Sequence, residues 1–225
     1  ERVLAGTVTT AVGKQDLGKI VVEKLRGIGI ADGLSLSQTV VDAMNQAGLN
    51  AVLLKHPLGM KWSKMLTNLL ANASSAILDY SPAMIFAHPG IYRAEIAMLK
   101  EALAVMEALG YPVINLPSTP VRALVGLVKD LPTWLSRPLL FQALGKGRGR
   151  KMPSFHIDLY AGRGKSEVDF LNGAVVRFGQ QVGVATPINN WLTKVLLKLS
   201  SGELSTGTLA HDADKYLEWM ANNWT

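Results

Sequence analysis

The stretch KWSKMLTNLLANASS, residues 61–75, sets Lys64, Asn68 and Asn72 at i, i+4 and i+8. From Met65 to Ile77 no side chain is charged, yet Thr67, Asn68, Asn72, Ser74 and Ser75 are polar. In an α-helix each four-residue step advances roughly 40° past a full turn, so the three residues lie along one winding stripe about 12 Å long. Thr67, Ala71 and Ser75 fall on that face, while Met65, Leu66, Leu69, Leu70, Ala73 and Ile77 fall opposite. A carboxamide both donates and accepts hydrogen bonds, so it can fix the hydroxyl and the carboxylate of a small ligand. A lone ammonium beside it can neutralise a carboxylate or protonate an oxygen. The competing reading is an amphipathic surface helix. Solvated helix faces are usually studded with Glu and Lys, and this one is not.

The surrounding pattern supplies the elements that must carry these residues. Residues 1–33 read as β: RVLAGTVTT, GKIVVEKL and GIGIADG are rich in Val, Thr and Ile. SLSQTVVDAMNQAGL follows with a serine cap and apolar 3/4 spacing through Val40, Val41, Met44 and Leu49, and NAVLLK is a short apolar strand. Strand, helix, strand in succession suggests the tail of an α/β unit. From Pro57 the pattern is helical. It predicts one helix over 57–78, a second over 90–109, one or two short helices over 119–144 interrupted by Pro132 and Pro138, and a short helix from Ser154 to Tyr160. A well-marked helix is expected from Ser166 to Val182, stopped by Gly183, then one over 187–199 and a last turn or two in DADKYLEWMANNW.

Composition bounds the partners. Of the 225 residues 48% are hydrophobic and 18% charged, a globular mixture long enough to bury a core. The net charge of +6 is partly concentrated in GKGRGRK, Gly145–Lys151, so no broad nucleic-acid face is expected. That loop could touch a phosphate or could be a solvated connection. No apolar run is long enough to span a bilayer, so no membrane partner is expected. There is no cysteine, which excludes disulfides and thiolate metal sites and fits a reducing, cytoplasmic compartment. His56, His88, His156 and His211 show no paired metal-ligand spacing, so no metal is expected. The chain opens in a strand-like alternation without an initiator Met, and reads as starting within a longer protein.

WSKMLTNLLAN has the form W-x-K-x-x-x-N-x-x-x-N and resembles the ketopantoate reductase (2-dehydropantoate 2-reductase) family. A second segment, KMPSFHIDLYAGRGKSEVDFLNGAVVRFGQQVGVATPIN, resembles that family's S-x-x-x-D, then [TS]-E-x-D-x-x-N-G, then G-x-x-x-P, in Ser154, Asp158, Ser166, Glu167, Asp169, Asn172, Gly173, Gly183 and Pro187. RVLAGTVTTAV and GKIVVEK…GIGI look like the last strands of the family's nucleotide-binding domain. The resemblance implies an α+β, mainly α chain, with a β-rich remnant of a Rossmann domain at 1–56 and a 6-phosphogluconate-dehydrogenase-like helical domain at 57–225. It implies NADPH-dependent reduction of a 2-keto acid in pantothenate biosynthesis and admits a homodimer. By position, Lys64 is the general acid, and Asn68 and Asn72 bind the hydroxyl and carboxylate side of the substrate. Ser154 holds the carboxylate, and Glu167 lies against substrate and the nicotinamide ribose. The alternatives are another 2-keto or 3-hydroxy acid dehydrogenase of the same architecture, or a helical interaction module without turnover. No strand–GxGxxG–helix occurs in the chain, so residues 1–225 alone are expected to hold NADPH weakly or not at all.

Overall fold

The computed structural model describes residues 3–142 and 152–222. The chain is mainly α with a small sheet, and it divides into two compact units, residues 1–67 with 110–125 and residues 68–109 with 126–225. The basic loop Gly145–Lys151 lies outside the described residues.

In the first unit β1 (Gly6–Val8) pairs antiparallel with β4 (Ile28–Ala31), and β4 pairs parallel with β5 (Ala51–Leu54). A parallel pair needs a crossover, and α1 (Ser37–Gln46) supplies it, packing Val41 on Ile30 and Ala51. The expected serine cap of α1 is not formed. Leu36 occupies the cap position, and Ser37 Oγ instead accepts from Leu34 N at 3.2 Å. β2 (Ala11–Asp16) and β3 (Lys19–Lys24) form a separate hairpin whose second strand is exposed throughout. Gly27 opens β4 at φ +138°, and a Cβ there would stand 2.4 Å from the Asn50 carbonyl oxygen, so no other residue fits. Gly27 and Gly29 of GIGIADG thus serve sheet packing. α2 (Pro57–Leu69) begins in this unit, where Trp62 meets Tyr111 and Ser63 Oγ accepts from Ile114 N at 2.9 Å.

The second unit is built around α5 (Pro89–Ala108). Its 20 residues bury Ile91, Ile96, Leu99, Leu103 and Met106, as the periodicity predicts, while Leu109, expected on the same side, is half-buried just past its end, and Tyr92 is buried in addition. They also bury Ala94, Glu95, Met98, Ala102 and Val105, so the buried arc is wider than one stripe. His88 caps α5 by accepting from Ile91 N through Nδ1, and Pro89 takes the first turn, where its missing N–H costs nothing. Around α5 stand α3 (Asn72–Leu78), α4 (Pro82–Ala87), α8 (Ser154–Tyr160), α9 (Asn172–Val182), α10 (Pro187–Ser201) and α11 (Ala213–Asn222). α7 (Thr133–Leu140) also belongs to this unit, and α6 (Val121–Lys129) begins in the first unit and ends in the second.

Four helix expectations are corrected. The helix expected over 57–78 is two helices, broken at Leu70–Ala71, where Ala71 adopts φ +56°. The helix expected from Ser166 to Val182 is a 3₁₀ turn, Glu167–Phe170, followed by α9, with Leu171 out of helical geometry between them. Pro138 lies inside α7 and does not interrupt it. α11 is a ten-residue helix, longer than the turn or two expected, because Tyr216 and Met220 give it a buried face.

One buried polar node locks α5, α9 and α10 together. Glu101 accepts from Ile188 N at 2.9 Å and Asn189 N at 3.0 Å, satisfying the first turn of α10. Asn189 Nδ2 returns to Glu101 Oε2 at 2.7 Å, and Asn172 Nδ2 donates to Asn189 Oδ1 at 3.0 Å. Burial raises the Glu101 pKa, and the bonds from Asn189 and Ile188 oppose that rise. Glu101→Ala orphans these amides at a cost of about 1–3 kcal/mol. Calorimetry should find Tm lower by roughly 2–12 °C for a chain of this size, and an unchanged Tm would remove Glu101 from the account.

Candidate functional site

The break between α2 and α3 decides what the polar stripe becomes. A non-glycine residue in the left-handed region costs about 1–2 kcal/mol, so Ala71 needs a partner to hold it there. Glu95, on α5 and 2% exposed, provides one: its Oε2 accepts from Ala71 N at 2.7 Å. Its Oε1 accepts from Ser74 Oγ, and Ser74 Oγ is 2.8 Å from the Tyr216 hydroxyl of α11. Hydrogen bonds to a charged group contribute about 1.5–3 kcal/mol each, enough to offset the backbone strain.

The break turns Asn72 off the expected line and into the second unit. Its Oδ1 accepts from Phe155 N at 3.0 Å, filling one of the open amides at the start of α8. Its Nδ2 donates to Ser154 Oγ at 3.3 Å. Both ends of the carboxamide are therefore engaged, and Asn72 is only 5% exposed, whereas Ser154 is exposed. Because Ser154 Oγ accepts from Asn72, its own proton is directed away from that bond. The pair presents an oriented hydroxyl donor.

α3 grips α8 at its other end as well. Asp79 closes α3 at φ +53°, and its Oδ1 lies 2.6 Å from His156 Nε2. Its Oδ2 lies 3.2 Å from His211 Nε2, so each imidazole takes a different oxygen. Tyr160 stacks on His156 with ring centroids 4.3 Å apart. Burial, and secondly the charge of Asp79, push the Tyr160 phenol up to about 12. Among the described residues no group of three or more His, Cys, Asp or Glu is arranged to hold a metal ion, and no helix is long and apolar enough to cross a membrane.

The remaining expected site residues stand as follows. Lys64 is half-buried on the part of α2 that belongs to the first unit, and Thr67 Oγ1 bonds its carbonyl at 2.7 Å. Asn68 is half-buried one turn later, in the last turn of α2. Ser166 caps the 3₁₀ turn, accepting from Val168 N at 3.2 Å, and Glu167 follows. Glu167 lines a cavity of about 740 Å³ with Asp158, Arg163, Lys165, Lys198 and Glu203, and neither Asn72 nor Ser154 is in its wall. Arg163 pairs with Asp158, and Lys198 pairs with Glu203 at 2.8 Å. Sequence reasoning missed Glu95, Asp79 and His156. A lone acid on the apolar face of α5 was the available signal for Glu95. Asp79 and His156 belong to no periodic pattern and meet only through the packing of α3 on α8.

A family model described as the C-terminal part of ketopantoate reductase PanE/ApbA matches residues 58–200. Among curated relatives, a 2-dehydropantoate 2-reductase of Pyrobaculum aerophilum is 26% identical over 173 residues, 77% of this chain and 54% of that protein. The chain thus spans about half the length of that relative. Among solved structures, a PanE/ApbA family ketopantoate reductase from Ralstonia eutropha JMP134 superposes with TM-score 0.71 at 21% identity, covering 89% of this chain and 60% of that one. A D-mandelate dehydrogenase solved with NADH superposes with TM-score 0.68 at 18% identity, covering 88% and 68%. At these identities the two structures establish the shared fold.

The grip of Asp79 on α8 yields a pH signature. A phenol whose pKa is raised in the folded state favours the protonated form there, so its contribution to stability is full below the unfolded phenol pKa. It is lost as pH rises through the folded value of about 12. Asp79→Asn removes one of the two causes and should lower the Tyr160 midpoint in an ultraviolet phenolate titration, while burial keeps it above an ordinary phenol. A midpoint that does not move would separate Asp79 from Tyr160.

Proposed function

Because the chain belongs to the ketopantoate reductase PanE/ApbA family, we propose that it carries the keto-acid-binding part of an oxidoreductase. The reaction is reduction of a 2-keto acid, 2-dehydropantoate or a close relative, at the expense of NADPH. The observation that supports this reading is the Asn72–Ser154 pair: a buried carboxamide that donates to an exposed hydroxyl and leaves that hydroxyl's own proton for another acceptor. Ser154 donates to the substrate carboxylate. Asn72 acts mainly by holding Ser154, and Asn68, one turn from Lys64 on α2, takes the substrate hydroxyl side. Lys64 is the general acid that delivers a proton to the carbonyl oxygen as the alcohol forms. Glu167, in the first turn after its Ser166 cap, is assigned to the nicotinamide ribose and substrate edge.

We assign no residue of this chain to the dinucleotide phosphates, since no strand–GxGxxG–helix occurs in it. When bound, NADPH supplies the hydride to the carbonyl carbon. Apart from Glu167 at the ribose, the assignments to this chain concern the keto acid and the proton. The domain reading follows the same division of labour, with residues 1–56 as the end of a nucleotide-binding domain and 57–225 as the substrate domain.

The test is a panel of 2-keto acids, from 2-dehydropantoate to the aromatic benzoylformate, with NADPH and NADH on the full-length protein, read at the nicotinamide absorbance. A preference for the branched aliphatic acid with NADPH supports the reading. A preference for the aromatic acid assigns the chain to another 2-keto acid dehydrogenase of this architecture, and turnover of none favours an interaction module. Lys64→Ala should lower turnover about 10²-fold or more, the scale of general acid catalysis. Near-normal turnover in that variant would give the proton to another group.

A further inference from the structure

Two groups of the second unit lie outside the assigned site yet bond to the residues that shape it. Glu95 is 2% exposed and Tyr216 is fully buried, both beneath α3. Ser74 Oγ donates to Glu95 Oε1, so it accepts from the Tyr216 hydroxyl, and the three groups form a one-way relay from α11 to α5. The other carboxylate oxygen takes Ala71 N, the residue immediately before Asn72. Trp191 of α10 meets the Tyr216 ring edge-on at 5.0 Å and fixes its position. The Tyr216 phenol is pushed up, first by burial and then by the charge of Glu95, with the Ser74 bond opposing. It therefore stays protonated and keeps its role as donor.

We propose that Glu95 and Tyr216 are positioning residues for the keto-acid site: through Ser74 and the Ala71 amide they hold the break that aims Asn72 at Ser154. The proposal rests on the functional reading of Ser154 given above. Neither group touches substrate. What they set is the direction in which Asn72 leaves the end of α2, and hence whether its carboxamide can cap α8 and orient the Ser154 hydroxyl. The C-terminal helix thereby acts on substrate affinity through three buried polar contacts.

The chemistry of substitution is specific. In Glu95→Gln the carboxamide can still accept from Ala71 N, but its Nε2 then faces Ser74. Ser74 Oγ has two lone pairs and can accept from both Nε2 and the Tyr216 hydroxyl, but its own proton loses the carboxylate acceptor in a buried position. Tyr216→Phe removes the donor without changing the ring. In the double variant the link from Tyr216 through Ser74 is already broken at the carboxylate, so the second substitution should add little to the first.

The experiment uses the full-length protein with Glu95→Gln, Tyr216→Phe, the double variant and Ser154→Ala. Steady-state kinetics are paired with amide hydrogen exchange at Phe155, the amide that Asn72 caps. Glu95→Gln should raise KM for the keto acid about 5-fold or more, with kcat within about 2-fold of wild type and KM for NADPH unchanged. Phe155 should exchange faster while amides in the middle of α5 keep their protection. Tyr216→Phe should do the same to a smaller extent, and the double variant should be no worse than Glu95→Gln. Wild-type keto-acid KM and wild-type Phe155 protection in folded Glu95→Gln and Tyr216→Phe would overturn the proposal. A loss of protection spread evenly over the whole unit would overturn it too, by making the role one of general stability. If Ser154→Ala leaves the keto-acid KM unchanged, the functional reading falls instead, and the exchange at Phe155 still decides whether the relay positions Asn72.

Discussion

A carboxylate buried at 2% exposure must find partners, because leaving one charge uncompensated in the interior costs several kcal/mol. Glu95 finds them in the Ala71 amide and the Ser74 hydroxyl. That requirement shapes the second unit. It holds the break at Ala71 that separates α2 from α3, ties α11 to α3 through Tyr216, and leaves Asn72 bonded at the start of α8. With the break in place, α3 and α8 meet at two points. Asn72 sits at one and Asp79 with His156 at the other, so α8 has little freedom to shift the hydroxyl it carries.

Much of the fold was legible because apolar spacing follows packing. α5 and the end of α9 appear in the sequence as runs stopped by Gly110 and Gly183, α8 and α10 fall where helices are expected, and the β4–α1–β5 crossover reads from strand, helix, strand. The two breaks, at Ala71 and Leu171, were not legible. No proline stands at either break and no glycine within TNLLANASS, and the Asn172-Gly173 pair after Leu171 falls inside the next helix. What ends each helix is tertiary. A distant acid claims the Ala71 amide, and Asn172 is drawn into the amide pair with Asn189. Single-chain propensity is a weak prior against a buried hydrogen bond of this kind.

The site was legible in a different sense. The motif residues are present in the order the family pattern requires, but the structure sorts them by physical role. Asn172 is 0% exposed and with Asn189 holds α5, α9 and α10 together, so its place in the pattern reflects packing. Asn72 is nearly buried and acts on a neighbour. Ser154 faces outward. The chemical type of a motif residue was readable from spacing, whereas whether it meets a ligand or a second side chain depends on which way the chain turns at Ala71.

The most direct measurement is a crystal structure of the full-length protein with oxidised NADP and the 2-hydroxy acid product. The account predicts one carboxylate oxygen at ordinary hydrogen-bond distance, about 2.5–3.0 Å, from Ser154 Oγ, with Asn72 still capping the Phe155 amide and Ala71 still left-handed. A product carboxylate bound away from Ser154, with Lys64 out of reach of the new hydroxyl, would contradict it.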